Sequence, residues 1–526
     1  MPLRRAGLGL LLLAIAGCAS PSTGGSATPS PPQGLVVVTA GGTALEDGTG
    51  DVPPTLELGV EGSGVTPSVV TASLDGSPLH LASSSEGVTA QVAPMAYGSE
   101  HRLVLAVAGR FDQTIGFQVV DRTGVSAAAW LDPSGQLVCE AVFERAPDRS
   151  AVAAALSPAR LTWTDSTHVV LEWAAPPAEL VIPSGLGAAR GSVLDGPLQL
   201  PLTGLQSGQL RRGTVPAAPA VPAGLRLTLW TTGTAASHTT TVDHAAAAAI
   251  LSPTGWQAEP DGALSGTPDA VTLTAAEAAG RPVWPVLAND AADPAGVDQL
   301  LHDAGAESRL VGAVAGQVRS LHLAGVNLDF EGVPGSDQAD LTAFAGQLSS
   351  ALRAAGAGLS IDVVPHAPGA INAASAAYDD PGLAAVADYL VVMAYDENTT
   401  ASTPGPVAGL DWQAEELAGA MAGVPAAKVV LGIPFYARRW SGGQVSAGGY
   451  AAMVAQALGE PEVAYDYDFL AATPLLVSDP GGVPTQLWFD DADSLLRKIS
   501  VVGQLDLAGV AAWSAGFEDP AFWPAV

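Results

Sequence analysis

Apolar positions along this chain follow two rhythms. From residue 34 to about 121 the rhythm is two. Val36 and Val38, then Leu56, Leu58 and Val60, then Leu103, Leu105 and Val107, then Ile115, Phe117 and Val119 alternate with polar or small residues. Such alternation predicts half-buried strands, and Asp75-Gly76 between two apolar runs predicts a tight hairpin turn. A second stretch of the same rhythm runs from about 122 to 232, with strands expected over 137–143, 169–173 and 225–230. Short strands at regular spacing, punctuated by Pro and Gly, predict two all-β immunoglobulin-like modules, 34–121 and 122–237.

Near His238 the rhythm changes. Short apolar runs now alternate with stretches of helical spacing, the pattern of a parallel sheet. The expected strands cover 248–252, 282–287, 321–330, 359–364, 389–394, 429–435, 485–489 and 508–513. Leu341, Phe344, Leu348 and Leu352 form one helical stripe, and Leu495, Leu496, Ile499 and Val502 another. Eight such units over 238–526 predict a (β/α)8 TIM barrel, with a small insertion at about 441–484. An open doubly wound sheet is the alternative, but no Gly-rich phosphate loop follows any expected strand. The chain thus reads as multidomain, a C-terminal barrel preceded by two β-modules.

The first residues read as a targeting segment. Arg4 and Arg5 precede an apolar run from Leu8 to Ile15, too short for a stable span, and Ala16-Gly17-Cys18 follows. This resembles the bacterial lipoprotein signal, which implies that 1–18 is a signal peptide with Cys18 as the lipidated residue. Residues 19–33 have no apolar pattern and read as a flexible tether. The expected location is extracytoplasmic, lipid-anchored to a bacterial membrane of the cell envelope. With Cys18 so used, one of the 2 cysteines remains, Cys139, in an alternating strand, where it reads as a core thiol. A net charge of −31 repels nucleic acid and anionic lipid.

The most informative ten residues are 323–332, LAGVNLDFEG. A buried strand ends there in Asp329 and Glu331, two apart and so on one side. Burial and a neighbouring like charge raise a carboxyl pKa, which makes a proton donor at neutral pH. Other expected strands also end in polar or aromatic residues: Asn289-Asp290, Met393-Ala394-Tyr395-Asp396, Tyr436 to Arg438, Asp490-Asp491 and Trp513. In a TIM barrel these ends share one mouth. Acids for proton transfer beside aromatic faces for stacking suit a sugar site. The histidines show no metal-ligand spacing, and His366 reads as structural.

Residues 246–526 resemble family 18 glycoside hydrolases, in the branch of bacterial cell-wall and spore-cortex N-acetylglucosaminidases. The motifs that carry the resemblance are AGVNLDFEG at 324–332, ADYLVVMAYDEN at 387–398, KVVLGIPFYARRW at 428–440, LWFDDADSLLRK at 487–498 and LAGVAAWSAGFEDPAFW at 507–523. The resemblance implies a retaining hydrolase that cleaves β-1,4 bonds after N-acetylglucosamine in peptidoglycan or chitin-like glycans. It implies Glu331 as the acid and base, Asp329 as the holder of the substrate's acetamido N–H, and Tyr395 as the donor to the acetamido oxygen. Asn327, Met393, Asp396, Tyr436, Trp513 and Asp490 would line the substrate. No cofactor or metal is implied, because the substrate supplies its own nucleophile. The chain departs from the motif at Ala324 and Asn327, where the family carries Asp, and at Asn398. The alternative is a catalytically weak or inactive glycan-binding envelope lipoprotein.

Overall fold

The computed structural model describes residues 37–526 except 41–42, 53–55, 63–64, 86, 94, 96–98, 108–110, 120–121 and 189–191. The expected signal peptide, Cys18 and the tether lie outside the described residues. The chain divides into two compact units, 1–122 and 123–526. In the first, one five-stranded sheet contains Val37–Ala40, Leu56–Glu61 and Gly87–Val92, and a second contains Thr49–Val52, Val70–Leu74, Glu100–Val107 and Phe111–Val119. Val38, Leu58, Val60 and Val88 meet Leu103, Leu105, Ile115 and Phe117 in one core between the sheets. The turn at Asp75-Gly76 has φ of 49° and 87°, the positive pair such a hairpin needs, and sets Leu74 opposite Ser77.

The second β-module is not a separate domain. Its main sheet orders Arg160–Trp163, His168–Glu172, Leu137–Phe143, Val125–Leu131 and Arg211–Val215. One face packs on the ribbon of Glu179–Ile182 and Leu198–Pro201 and encloses Cys139. The other face, through Ala128, Trp130 and Val142, packs on Met453, Tyr465, Tyr467, Leu476 and Phe489 of the C-terminal half. With both faces covered, Val125–Leu131 is buried along nearly its whole length, and burial raises the Cys139 thiol pKa to about 12.

Eight parallel strands form the barrel: β1 Leu227–Thr231, β2 Ile250–Pro253, β3 Val286–Ala288, β4 Gly325–Asp329, β5 Gly358–Val363, β6 Tyr389–Val392, β7 Val429–Pro434 and β8 Gly509–Trp513. The ring closes between β2 and the residues before β3, where Leu251 pairs with Val283. Trp230, Val286, Val391, Val430 and Ala511 fill the interior, while the alternate residues face outer helices such as Gln338–Ala354, whose Leu341, Phe344, Leu348 and Leu352 are all buried.

The expected strand set needs two corrections. The strand expected over 225–230 in the second module is β1, paired with β2 and β8, so the barrel begins before 238. The strand expected at 485–489 is not a stave. Thr485–Trp488 joins Tyr436–Ser441, Gln444–Gly449, Ala464–Asp468 and Thr473–Ser478 in an antiparallel sheet between β7 and β8. The insertion therefore spans about 436–488 and is wider than 441–484. Among the described residues, no helix is long and apolar enough to cross a membrane.

Candidate active site

The chain turns sharply where β4 ends. Asp329 is its last residue and points inward. Phe330 points outward and stacks on Phe344 with centroids 5.5 Å apart, which returns Glu331 to the mouth. The Tyr378 hydroxyl donates to the Phe330 carbonyl at 2.8 Å. Asn289, after β3, grips Glu331 from both sides: its Oδ1 accepts from the Glu331 N–H at 2.8 Å, and its Nδ2 donates to the Glu331 carbonyl at 2.8 Å. Gly332 then turns with φ 66°, where a Cβ would stand 2.5 Å from the Ala291 carbonyl oxygen. The acid's backbone is thus held while its carboxyl stays at the surface of the mouth.

Asn327 does not line the substrate. It is 2 % exposed inside the barrel. Its Oδ1 accepts from the Trp230 indole at 2.8 Å, and its Nδ2 donates to Ser360 Oγ at 3.1 Å and Asp362 Oδ1 at 2.7 Å. The period of two that faces Asp329 inward also faces Asn327 inward, two residues deeper. Asp362, on β5, was missed by the sequence reading. An acid set in the apolar run LSIDVV was the available sign.

Tyr395 follows β6. Its ring lies over Gly432 of β7, where an added Cβ would come within 3.1 Å of Tyr395 Cε1 and 2.6 Å of the Val392 carbonyl oxygen. It meets Tyr436 edge to face at 6.3 Å. Asp396, at φ 65°, accepts from the Tyr436 hydroxyl and from Arg438 Nη2 at 2.8 Å. Tyr436 is 7 % exposed, and its hydroxyl is committed to Asp396, so it acts on the mouth through that carboxylate. Met393 is 8 % exposed and packs at the end of β6. Trp513, at the end of β8, is half-buried and meets Trp230 at 5.8 Å, with a cis bond to Ser514.

Carboxyls outnumber cations here, and burial is the first cause of every shift. Asp329 is raised to about 7 by burial and then by the Glu331 charge. Glu331 is raised by the protein around its carboxyl and then by Asp396. Asp362 is raised well above the usual carboxylate range by burial and then by Asp329. The Tyr395 phenol is raised by burial, then by the charges of Asp362, Asp329, Tyr436 and Glu331. The arrangement can therefore hold a proton on an acid at neutral pH and present fixed polar groups beside it.

Asp490 is not in the mouth. It is 1 % exposed and forms an ion pair with Lys498, which is fully buried two helical turns on. His366 bonds Asp380 at 3.1 Å through Nε2, in line with a structural role. Asp298, His302 and Asp337 are the group among the described residues with metal-ligand spacing, an i,i+4 pair the sequence reading passed over. The His302 pKa is raised by its hydrogen bond to the Asp298 carbonyl and then by the surrounding acids. A cavity of about 610 Å³ opens beside the mouth, lined by Gln257, Glu259, Asn289, Asp290, Asp293 and Leu300 among others.

One end of the closed parallel barrel thus presents a raised acid just after β4, flanked by an inward Asp and a Tyr that follows β6. Residues 291–518 match the model of the Glycosyl hydrolases family 18. The putative sporulation-specific glycosylase YdhD of Bacillus subtilis is 30 % identical over 230 residues, which cover 41 % of this chain and 53 % of that protein. The cortical fragment-lytic enzyme of the same organism is 23 % identical over 43 % of this chain and 54 % of its own. The chain thus spans about half the length of these two curated relatives. A chitinase from Chromobacterium violaceum superposes with a TM-score of 0.54 at 27 % identity, covering 58 % of this chain and 98 % of that one. The spore cortex-lytic enzyme SleL of Bacillus megaterium shares the fold, with a TM-score of 0.53 at 20 % identity over 60 % of this chain and 76 % of its own.

Proposed function

We propose that this chain is a retaining hydrolase that cleaves β-1,4 bonds after N-acetylglucosamine in peptidoglycan, held at the cell envelope by a lipid on Cys18. The observation that carries the reading is the meeting of Glu331, Asp329 and Tyr395 at one end of the barrel, with burial raising the carboxyl of Glu331. Glu331 gives its proton to the glycosidic oxygen as the bond from that oxygen to C1 breaks. The substrate's acetamido oxygen closes on C1 from the opposite face, forming an oxazolinium. Asp329 accepts the acetamido N–H and stabilises the positive charge, and the Tyr395 hydroxyl donates to the acetamido oxygen. Glu331, now a carboxylate, takes a proton from water as the water attacks C1 and the ring opens. Two inversions give retention. This differs from the two-carboxylate scheme in that no enzyme group bonds to the sugar.

Relatives named as cortical fragment-lytic and spore cortex-lytic enzymes favour peptidoglycan over chitin, and a tether at 19–33 would keep the barrel beside the wall. We read the two-sheet unit before residue 122 as an immunoglobulin-like spacer. Mass spectrometry of products from purified peptidoglycan and from chitin oligomers tests the proposal. New reducing-end N-acetylglucosamine from peptidoglycan is expected. Reducing-end N-acetylmuramic acid, or no cleavage of either polymer, overturns it.

A further inference from the structure

Behind the three residues of that mechanism sits a further carboxylic acid with no assigned role. Asp362 is 2 % exposed, and among the described residues no Lys, Arg or His pairs with it. The groups that act on it are Asp329, Asn327 and Glu331. The phenols of Tyr395 and Tyr378 also lie close enough to feel its charge. None of these is a cation. An ionised carboxyl enclosed this way would be a buried, uncompensated charge, which is among the costliest things a fold can hold.

The register says where its proton goes. Asn327 pairs with Ser360 and Leu328 with Ile361, so one step further along the strands Asp329 stands level with Asp362. Both face the interior. Neighbouring strands run about 4.8 Å apart, which brings two level side chains on the same face next to one another. One oxygen of Asp362 is already occupied. Trp230 donates to the Oδ1 of Asn327, which fixes that amide so that its Nδ2 donates to Asp362 Oδ1. Across the gap, Asp329 Oδ1 is closed to solvent and has no hydrogen-bond partner. A donor is missing where an acceptor waits.

We infer that Asp362 is a positioning residue for the reaction: its carboxyl O–H donates to the buried Oδ1 of Asp329 and leaves the other Asp329 oxygen facing the acetamido N–H. The chain Trp230, Asn327, Asp362, Asp329 then runs donor to acceptor from β1 to the mouth. It orients Asp329 and favours its charged form, against the burial that opposes it. The inference rests on the hydrolase reading for its consequence, but its geometry does not.

Three variants of the full chain test it. D362N keeps a donor at the same place, and its amide can stand between Asn327 and Asp329 as the acid does. D362L keeps the branched outline, with more bulk, and removes the donor. The loss of one hydrogen bond to a charged acceptor predicts a fall in kcat of about 10- to 100-fold for D362L, with D362N within about 3-fold of wild type. D362L should also move the acid limb of the kcat/KM profile to higher pH, because Asp329 without its donor is protonated more readily. D329N should remove that limb's dependence on residue 362. A residue that only fills space predicts Leu at least as active as Asn, changes confined to Tm, and no shift of the limb; that result overturns the inference. Infrared difference spectra give a readout free of turnover. A protonated-carboxyl C=O stretch persisting above neutral pH in wild type and missing from D362N supports it, and its absence from wild type overturns it. A wild type that shows this band but cuts no glycan sinks the hydrolase reading alone.

Discussion

Arg212 lies in the second β-module, yet its charge is spent on the barrel. Its Nε and Nη2 donate to Asp491 Oδ2 and Oδ1, each at 2.6 Å, and Nη2 also reaches Asp493 at 3.2 Å. The side chains of Arg212 and Asp491 are 2 % and 9 % exposed. Asp491 is also the N-cap of the helix Ala492–Gln504, accepting from the Ser494 N–H. Burial pushes the Asp491 carboxyl up, and the charge and hydrogen bonds of Arg212 pull it below its ordinary value. Substituting Met for Arg212 leaves a buried carboxylate without its counter-ion. The expected cost is about 3–5 kcal/mol, because removing one partner of a buried pair is far more damaging than removing both. R212M/D491N should recover much of it, less the weaker cap. Urea unfolding followed by tryptophan fluorescence is the assay. All 11 tryptophans lie between Trp130 and Trp523, so the signal comes from the second unit alone. R212M should lower the midpoint with an unchanged slope and a single transition. A loss under 1 kcal/mol, or a separate early transition for the module, refutes the view that 123–526 folds as one body.

The remaining expectations concern the mouth. E331Q should lower kcat by at least about 100-fold while glycan binding by calorimetry stays near wild type, since it removes the transferable proton and little else. The Asp329 pKa, raised from 3.8 to about 7, means the folded state binds a proton more tightly than the unfolded chain. Its stabilising contribution is therefore full below pH 4 and lost as pH rises through about 7. The stability of wild type relative to D329N should fall across that window by a few kcal/mol, at roughly 1.4 kcal/mol per unit, and be level above it; a flat difference from pH 4 to 8 sinks the argument. G432V should displace the Tyr395 ring, costing about 1–3 kcal/mol in unfolding free energy and lowering kcat more than it changes KM.

Much of the barrel could be read because its grammar is local. Acids following apolar runs mark strand ends, and the stripe from Leu341 to Leu352 marks an outer helix. What could not be read is which strands share a sheet. Residues 225–230 (LRLTLW) alternate as a half-buried strand of a β-module would, because Leu227 and Leu229 of β1 pack into the core beneath the helices while Arg226, Thr228 and Trp230 take the other side, where Trp230 joins the barrel interior. Thr485–Trp488 is as apolar as a stave, but its partner Tyr436–Ser441 runs antiparallel to it, a pairing between residues 44 to 50 apart that no local pattern encodes. The same limit explains the site. Asp329 and Glu331 were legible as neighbours in sequence. Asn327 looked like a third member of that row, although its depth in the barrel ties it to Trp230 and Asp362. Asp490 looked like a strand-end acid because Lys498, the residue that neutralises it, is inconspicuous on an amphipathic helix.

The site's electrostatics follow from where the fold does and does not place cations. Of the four acids Asp329, Glu331, Asp362 and Asp396, only Asp396 is given one among the described residues, through Arg438 at 2.8 Å. That pairing sits toward the insertion side of the mouth, so the uncompensated charge concentrates on β4 and β5. Three carboxyls pressed together without a counter-ion must share protons, and the order in which they do so is set by depth. Asp362 is the deepest and keeps its proton. Asp329 is intermediate and is poised between forms, and Glu331 at the rim can exchange with substrate and water. A Lys or Arg placed among them would lower all three pKa values and weaken the hold on those protons. Under the proposed function, the acetamido group of a bound sugar would bring an N–H and, once the ring closes, a positive charge to that same spot. On this reading the missing cation of the free site is supplied by the reaction itself, and the negative excess is a form of complementarity to the intermediate rather than to the resting substrate.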